Sequence, residues 1–373
     1  RRCIWGCDMR LIVLDEDFET LGAIPLFRTL IWIRRYQKLG AFELYTTKEY
    51  FPLLSKGRYL YRNDAEELGV IDEVNYAQDD SGSREIFAKG NFAECLLQNR
   101  VISESTALSG SLESAMRNLV TKFAISPKDP GRVIKHLRLG AVNGLKPTVN
   151  MQTLGDDLSA KLYALGNAEN ISHRVRYDYQ TNDLAFEVWE GKDRRDSQTE
   201  NSWAIFSNSF YNIRDAIYNR DSSSYKNFAY VAGEGEGSAR VIVEVDLRSD
   251  KTEERREIFV DARDLQSDNG NGNKLSAAQY KALLVQRGKE KLIEYQKVET
   301  VTSSVDSHAN LEYKKDYDLG DYCTYINTEI GIETAQRITE IMETYEGGSI
   351  ELIVTFGNEG VTTVKQLIKR EAA

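Results

Sequence analysis

"GRYLYRNDAEELGVIDEVNYAQDDSGSREIFAKG", residues 57–90, and "GDYCTYINTEIGIETAQRITEIMETYEGGSIELIVTFG", residues 320–357, decide how this chain is read. Each runs glycine, aromatic strand, acidic turn, a strand opening on Ile-x-Glu, a second turn, a last strand and a glycine. Alternation of apolar and polar residues between turn residues is the pattern of half-buried antiparallel strands. Without a gap, Ile71 coincides with Ile338, Glu73 with Glu340, Ile86 with Ile353 and Gly90 with Gly357. Self-similarity of this kind is read as repeated architecture. The chain is therefore expected to hold two similar β units with other material between them.

Around the first segment the pattern continues. "MRLIVLDEDFETLGAI" (9–24) reads as two strands about Asp15–Asp17, and "LIWIRRYQKLGAFELYTT" (30–47) as two more about Lys38-Leu39-Gly40. Together with strands in "GRYLYR", "GVIDEVNYA" and "SREIFAKG", separated by turns at Asn63-Asp64 and 79–82, they predict a compact antiparallel barrel or sandwich over residues 9–92. The character then changes. "SLESAMRNLVTKFAI" places Leu112, Met116, Leu119, Val120 and Phe123 on one helical face with Ser111 as its cap. Asp156-Asp157 opens a second helix that ends near Gly166, and "HRVRYDYQ" and "DLAFEVWEG" form a hairpin about Thr181-Asn182-Asp183. From Tyr225 strands return in "NFAYVAGEGEG", "RVIVEVDL" and "RREIFVDA". After the loop at 267–273, Ser276 and Gln279 have capping-box spacing, and Tyr280, Leu284, Leu292 and Tyr295 share one side with Gly288. The fold expected is α+β: a first β-barrel over 9–100, an inserted α+β domain over 101–224, a second barrel over 225–357 with a helix at about 276–296, and a tail over 358–373.

The bulk numbers bound the function. The 373 residues carry 48 Lys and Arg against 58 Asp and Glu, a formal charge of −10, with no basic cluster dense enough to track a phosphate backbone. Five prolines and 41% hydrophobic residues fit a folded body rather than a linker-dominated chain. Cys3, Cys7, Cys95 and Cys323 form neither a C-x-x-C pair nor a regular framework, which fits reduced cytosolic synthesis better than a disulfide scaffold. Met9 begins the first strand and reads as the natural start, with residues 1–8 an upstream extension. No apolar run reaches the roughly 18 residues of a membrane span, so no membrane anchor is expected.

Chemistry-bearing motifs are few. "VAGEGEGSAR" (231–240) has alternating glycines, but it leads into the strand-like "RVIVEV" rather than a helix, and Glu234 and Glu236 stand where an anion would sit. It reads as a turn between two strands. His136, His173 and His308 lack ligand spacing. No G-x-S-x-G or H-E-x-x-H is present, and paired carboxylates such as Glu66/Glu67 and Asp156/Asp157 carry little weight in so acidic a chain. No catalytic, metal-ligating or cofactor-binding residue is assigned, and no cofactor is expected.

Taken in order and spacing, "LIWIRRYQKLGAFELY", "GRYLYRNDAEELGVIDEV", "SSSYKNFAYVAGEGEGSAR", "REIFVDARDL", "RGKEKLIEY" and "YDLGDYCTYINTEIGIETAQRITEI" resemble the ReqiPepy-type siphovirus tail-protein family over nearly all of Met9 to Gly357. The resemblance implies a tail hub or baseplate hub with two tube-protein-like barrels per chain. It implies a homotrimer joining a sixfold tail tube to a threefold tip in the virion tail, with tube and distal tail proteins on one side and tip, spike or fibre proteins on the other. DNA would pass only transiently through its channel. It supplies no catalytic residue. Gly57, Gly90, Gly320 and Gly357, which bound the repeats, and Gly233, Gly235 and Gly237 are taken as structural, serving backbone geometry. A tail-associated wall-degrading enzyme and a receptor- or glycan-binding tip module are the alternatives.

Overall fold

The computed structural model describes residues 9–78, 84–268, 274–306 and 309–358. Cys3, Cys7, the turn at 79–82, most of the loop after Ser267, His308 and the tail from 359 lie outside the described residues.

Seven strands come first: β1 (Leu11–Leu14), β2 (Thr20–Ile24), β3 (Phe27–Arg35), β4 (Ala41–Thr46), β5 (Tyr59–Arg62), β6 (Leu68–Gln78) and β7 (Arg84–Phe92), with the one-turn helix α1 (Phe51–Leu54) before β5. They pair in the order β2-β1-β5-β6-β7-β4-β3. Trp32, Phe42, Leu44, Leu60, Ile86 and Phe92 fill the core beneath them.

The middle of the chain supplies β8 (Thr106–Ser111), α2 (Leu112–Val120), β9 (Leu137–Leu139), β10 (Thr148–Thr153), α3 (Leu158–Ala168), β11 (Ser172–Asp178) and β12 (Asp183–Trp189). The expected caps are in place. Ser111 accepts from the Ser114 amide, and Asp157 from that of Ala160 at 2.8 Å. The predicted stripe of α2 is buried, continuing through Phe123 in the turn after it.

The remainder comprises β13 (Ile205–Ser207), β14 (Ile213–Asp221), β15 (Phe228–Ala232), β16 (Ile242–Asp246), β17 (Glu257–Asp261), α4 (Ala277–Ile293), β18 (Val298–Val305), β19 (Tyr322–Asn327), β20 (Ile332–Glu346) and β21 (Ser349–Asn358). The capping box of Ser276 and Gln279 forms. Gly288 lies against Val231 and Val245, where a side chain would clash, whereas Tyr295 falls beyond the helix and is partly exposed.

Two expectations are corrected. Among the described residues, no sheet closes into a barrel. Both edges of β3 are used, one by β4 and the other by β20, so β2 cannot join it, and the two β units share a continuous thirteen-stranded sheet. The strands after Tyr225 do not enter that sheet either. They pair as β16-β15-β17, with β15 and β17 parallel, over α4 and around a core of Ala229, Val231, Val245, Val260 and Leu284. Strand β14 instead pairs antiparallel with β18.

The repeat is visible in the ladders. Both β5-β6-β7 and β19-β20-β21 are antiparallel meanders, and both bulge after the matched isoleucine, between Ile71 and Glu73 and between Ile338 and Glu340. The Ile71 amide bonds the Arg58 carbonyl at 2.9 Å, and the Ile338 amide bonds that of Asp321 at 2.8 Å. The last strands, however, match with a one-residue offset. Ala88 lies opposite Val74 as Val354 lies opposite Ile341, so Ile86 corresponds to Leu352 and Gly90 to Phe356. The turn of the second copy is one residue shorter, which the ungapped alignment hid.

Carried along the ladders, the equivalence covers four strands. Phe42, Leu44 and Thr46 of β4 correspond to Val301, Ser303 and Val305 of β18, all buried. Ile31, Trp32 and Arg34 of β3 correspond to Ile217, Tyr218 and Arg220 of β14. One chain thus carries the four-stranded sheet β6-β7-β4-β3 and its counterpart β20-β21-β18-β14, joined where β3 pairs with β20.

Candidate functional site

The join between the two sheets is where the chain buries its charge. Strand β3 reads apolar from Leu30 to Ile33 and then reaches Arg34, which is buried; its guanidinium meets Glu67 and Asp318 at 2.6 Å each and the Tyr313 hydroxyl at 2.8 Å. Tyr313 in turn donates to Glu343 at 2.8 Å, and Tyr345 donates to the other Glu343 oxygen at 2.6 Å. Arg62, fully buried, lies 2.7 Å from Glu343 and 2.8 Å from Asp64, between the rings of Trp32 and Tyr345. Its nitrogens are not aligned for hydrogen bonds, so the contact is ionic and cation–π in kind. At the end of the ladder Arg35 pairs with Glu340 at 2.6 Å.

Burial pushes the Glu343 carboxyl up, but Arg62, Lys314 and Arg34 outweigh it and hold it at about 2. Burial likewise opposes ionisation of Glu67, and Arg34 overcomes it. These residues hold two sheets in register. The signal for them in the sequence was the charge that breaks an apolar run, as in "LIWIRR", and it identifies neither Glu67 nor Tyr313 and Asp318, some 280 residues away, as its partners.

The sheet also ends in unused edges. Strand β5 covers β6 only at Leu68–Val70, so the edge over 72–78 has no partner strand among the described residues, and Tyr76 on it is 48% exposed. Among the described residues strand β14 pairs with β18 alone, and Ile217 on it is 42% exposed. Long edges without Pro or Lys are templates for further pairing.

The structural glycines fall in three places. Gly57 and Gly320 stand two residues before the matched Tyr59 and Tyr322, Gly57 packed on Val13 and Gly320 at φ +83° beneath Tyr36. A Cβ on Gly90 would overlap the Val70 carbonyl oxygen at the β6 bulge. Gly357, at φ +87°, approaches the Glu299 carbonyl. Gly233, Gly235 and Gly237 form the β15–β16 turn, as expected for "VAGEGEG"; Gly233 lies against Tyr280 and Leu284 of α4. The turn makes contact with the helix also through the Glu234 amide, which bonds the Tyr280 hydroxyl at 2.7 Å. The structure does not bring these glycines together into one site.

Among the described residues no group of three or more His, Cys, Asp or Glu is placed to hold a metal. His136 stacks on Phe18 at 4.7 Å. His173 is buried between Tyr163 and Phe186 with neither ring nitrogen bonded, and burial lowers its pKa to about 3. Glu94 lines the same small cavity; one of its oxygens accepts from the Val175 amide, and burial raises its pKa to about 7. A larger cleft of about 670 Å³ opens between α3, α4 and the β3–β20 join. It is lined by both charge signs, with Lys161 near Asp156 and Glu290. No helix among the described residues is long and apolar enough to cross a membrane.

The fold as a whole is similar to that of solved phage tail proteins. A tail protein from Neisseria meningitidis MC58 is similar over 95% of this chain and 97% of its own, at TM-score 0.56 and 14% identity. The prophage tail protein gp18 of Listeria monocytogenes EGD-e matches over 97% and 98%, at 0.55 and 14%. The prophage MuSo2 43 kDa tail protein of Shewanella oneidensis matches over 93% and 97%, at 0.58 and 12%. No curated protein sequence matches. The chain belongs to the Siphovirus ReqiPepy6 Gp37-like family, whose model spans residues 10–358.

Proposed function

We propose that this chain is a structural hub or baseplate protein of a phage tail or a phage-tail-like particle, without catalytic activity of its own. It joins the sixfold tail tube to the threefold tip as a trimeric ring about the DNA channel. The observation that carries this reading is the doubling within one chain: β6-β7-β4-β3 and β20-β21-β18-β14 offer two equivalent docking sheets per copy. Three copies then present six, which reconciles threefold and sixfold neighbours without a separate adaptor. Tube and distal tail proteins would contact one rim of the ring, and tip, spike or fibre proteins the other. DNA would pass through without stable binding. Imaging of assembled tails tests the reading: three copies on the tube axis are expected, and six copies or an off-axis position would overturn it.

A further inference from the structure

The cleft between α3, α4 and the β3–β20 join is a surface whose charges are only partly matched. Among its cations, Arg35 pairs with Glu340, Lys161 lies near Asp156 and Glu290, Arg287 pairs with Asp264, Lys291 with Glu294 and Lys297 with Glu253. Two of its carboxylates have no cationic partner among the described residues. Asp157 accepts from the Ala160 amide at the start of α3, and Asp221 accepts from the Ser223 amide. Between the charges, Tyr163, Ala164, Ile293 and Val298 give the cleft apolar surface.

The chain itself leads to this cleft. Asn358, at the end of β21, lies opposite Glu299, and the Gly357 carbonyl accepts from the Thr339 hydroxyl at 2.7 Å. Thr339 and Val298 both line the cleft. Carrying the β21–β18 ladder two rungs further would set Glu359 opposite Val298 and Gly360 opposite Lys297, which delivers residue 361 to the rim. Residues 359–373 reach about 50 Å when fully extended, against about 16 Å for the length of α3. Reach is no obstacle.

We propose that the segment "VTTVKQLIKR", residues 361–370, docks in this cleft of its own chain, with its apolar side on Tyr163, Ala164, Ile293 and Val298 and its lysines toward Asp157 and Asp221. Val361, Val364, Leu367 and Ile368 recur at the spacing that gathers apolar side chains on one helical face. Lys365 and Lys369, four residues apart, flank that face. The segment thus supplies the two things the cleft lacks, an apolar cover and cations for two unmatched carboxylates. Its own cleft is favoured over that of a second copy because Asn358 already stands at the rim, and a short tether holds the effective concentration on the order of millimolar. Docked there, the segment ties α3, α4 and the β3–β20 join together.

The inference does not depend on the hub reading and is tested on the full chain in solution. An equal mixture of natural-abundance and nitrogen-15-labelled protein is treated with a carbodiimide, which joins a carboxylate to an amine only where the two touch, and the links are mapped by mass spectrometry. Links from Lys365 or Lys369 to Asp157 or Asp221 are expected, within chains of one isotope. Leu367→Asp with Ile368→Asp keeps both lysines but removes the apolar face, and it should lower those links at least fivefold. Hydrogen exchange gives a readout that needs no lysine geometry: the same double variant should speed exchange of the amides at 296–298 at least threefold and leave the β16-β15-β17 sheet at parent rates. Links that are absent or scattered over carboxylates outside the cleft, links in mixed-isotope pairs, or exchange at 296–298 unchanged by the double variant would each overturn the assignment.

Discussion

Glu94 and His173 share a buried environment, and their titrations pull stability in opposite directions. Glu94 is raised from 4.5 to about 7, so the folded chain keeps a proton that the unfolded chain releases. Its contribution is full below pH 4.5 and is lost as the pH rises to about 7. His173 is lowered from 6.5 to about 3, so the unfolded chain takes up a proton that the folded chain refuses, and stability falls as the pH drops from 6.5 toward 3. Between 4.5 and 6.5 each contributes a slope of about 1.4 kcal/mol per pH unit with opposite sign, and the two cancel. The pair therefore gives a plateau with a decline on each side. Replacing Glu94 by Gln, which keeps an acceptor for the Val175 amide, should remove the decline above pH 6.5 and leave stability at pH 4 nearly unchanged. His173→Gln should flatten the acid limb instead. Urea midpoints at pH 4, 6 and 8 check both, and a Glu94→Gln profile parallel to the parent's would reject the assignment.

At the scale of elements, the bulge shared by β6 and β20 determines which glycines matter. Gly90 packs beneath the Val70 carbonyl at that bulge, with no room for a methyl group, whereas Gly237 turns in open space at φ +54°. Gly90→Ala should cost about 3 kcal/mol or more through displaced backbone. Gly237→Ala should cost about 1 kcal/mol, the strain of a left-handed alanine. Denaturation midpoints of the two variants separate a packed glycine from a conformational one, and equal losses would contradict the bulge geometry. Local elements such as these were legible in the sequence because their causes are local. The caps at Ser111, Asp157 and Ser276 and the hairpins about Gly40 and Asn182 all announce themselves within a few residues. The repeat was legible too, but its one-residue offset was not, since Ile86 and Gly90 meet chance identities at 353 and 357 while the ladders pair differently. Barrel closure was misread because a strand's pattern shows which face is buried and not which edge is taken. That β3 pairs with β20, and that Arg34 finds Asp318 and Glu343 nearby, depends on contacts some 300 residues distant in the chain.

For the whole molecule, that long-range join decides whether the two sheets behave as one body or two. Seven residue pairs link β3 to β20, and the buried charges of Arg34, Arg62, Glu67 and Glu343 cross the same line. If each sheet drew its stability only from its own core, loss of a join residue would loosen one and spare the other. The seam argues otherwise, because removing one partner leaves a buried charge uncompensated on elements from both sides. Glu343→Gln strips Arg62 of its buried counter-charge and should cost about 3 kcal/mol. Arg62→Met combined with Glu343→Gln should cost less than the sum of the two single changes, since the orphaned charge is then gone. Hydrogen exchange read strand by strand makes the test specific. In the parent, amides of β3 and β20 should exchange through the same opening, and Glu343→Gln should speed both together with β4 and β21. The β16-β15-β17 sheet, with its own core on α4, should keep its parent rates. Faster exchange confined to β18–β21, with β3–β7 still protected, would mean that the two sheets are separable modules and that the seam only aligns them.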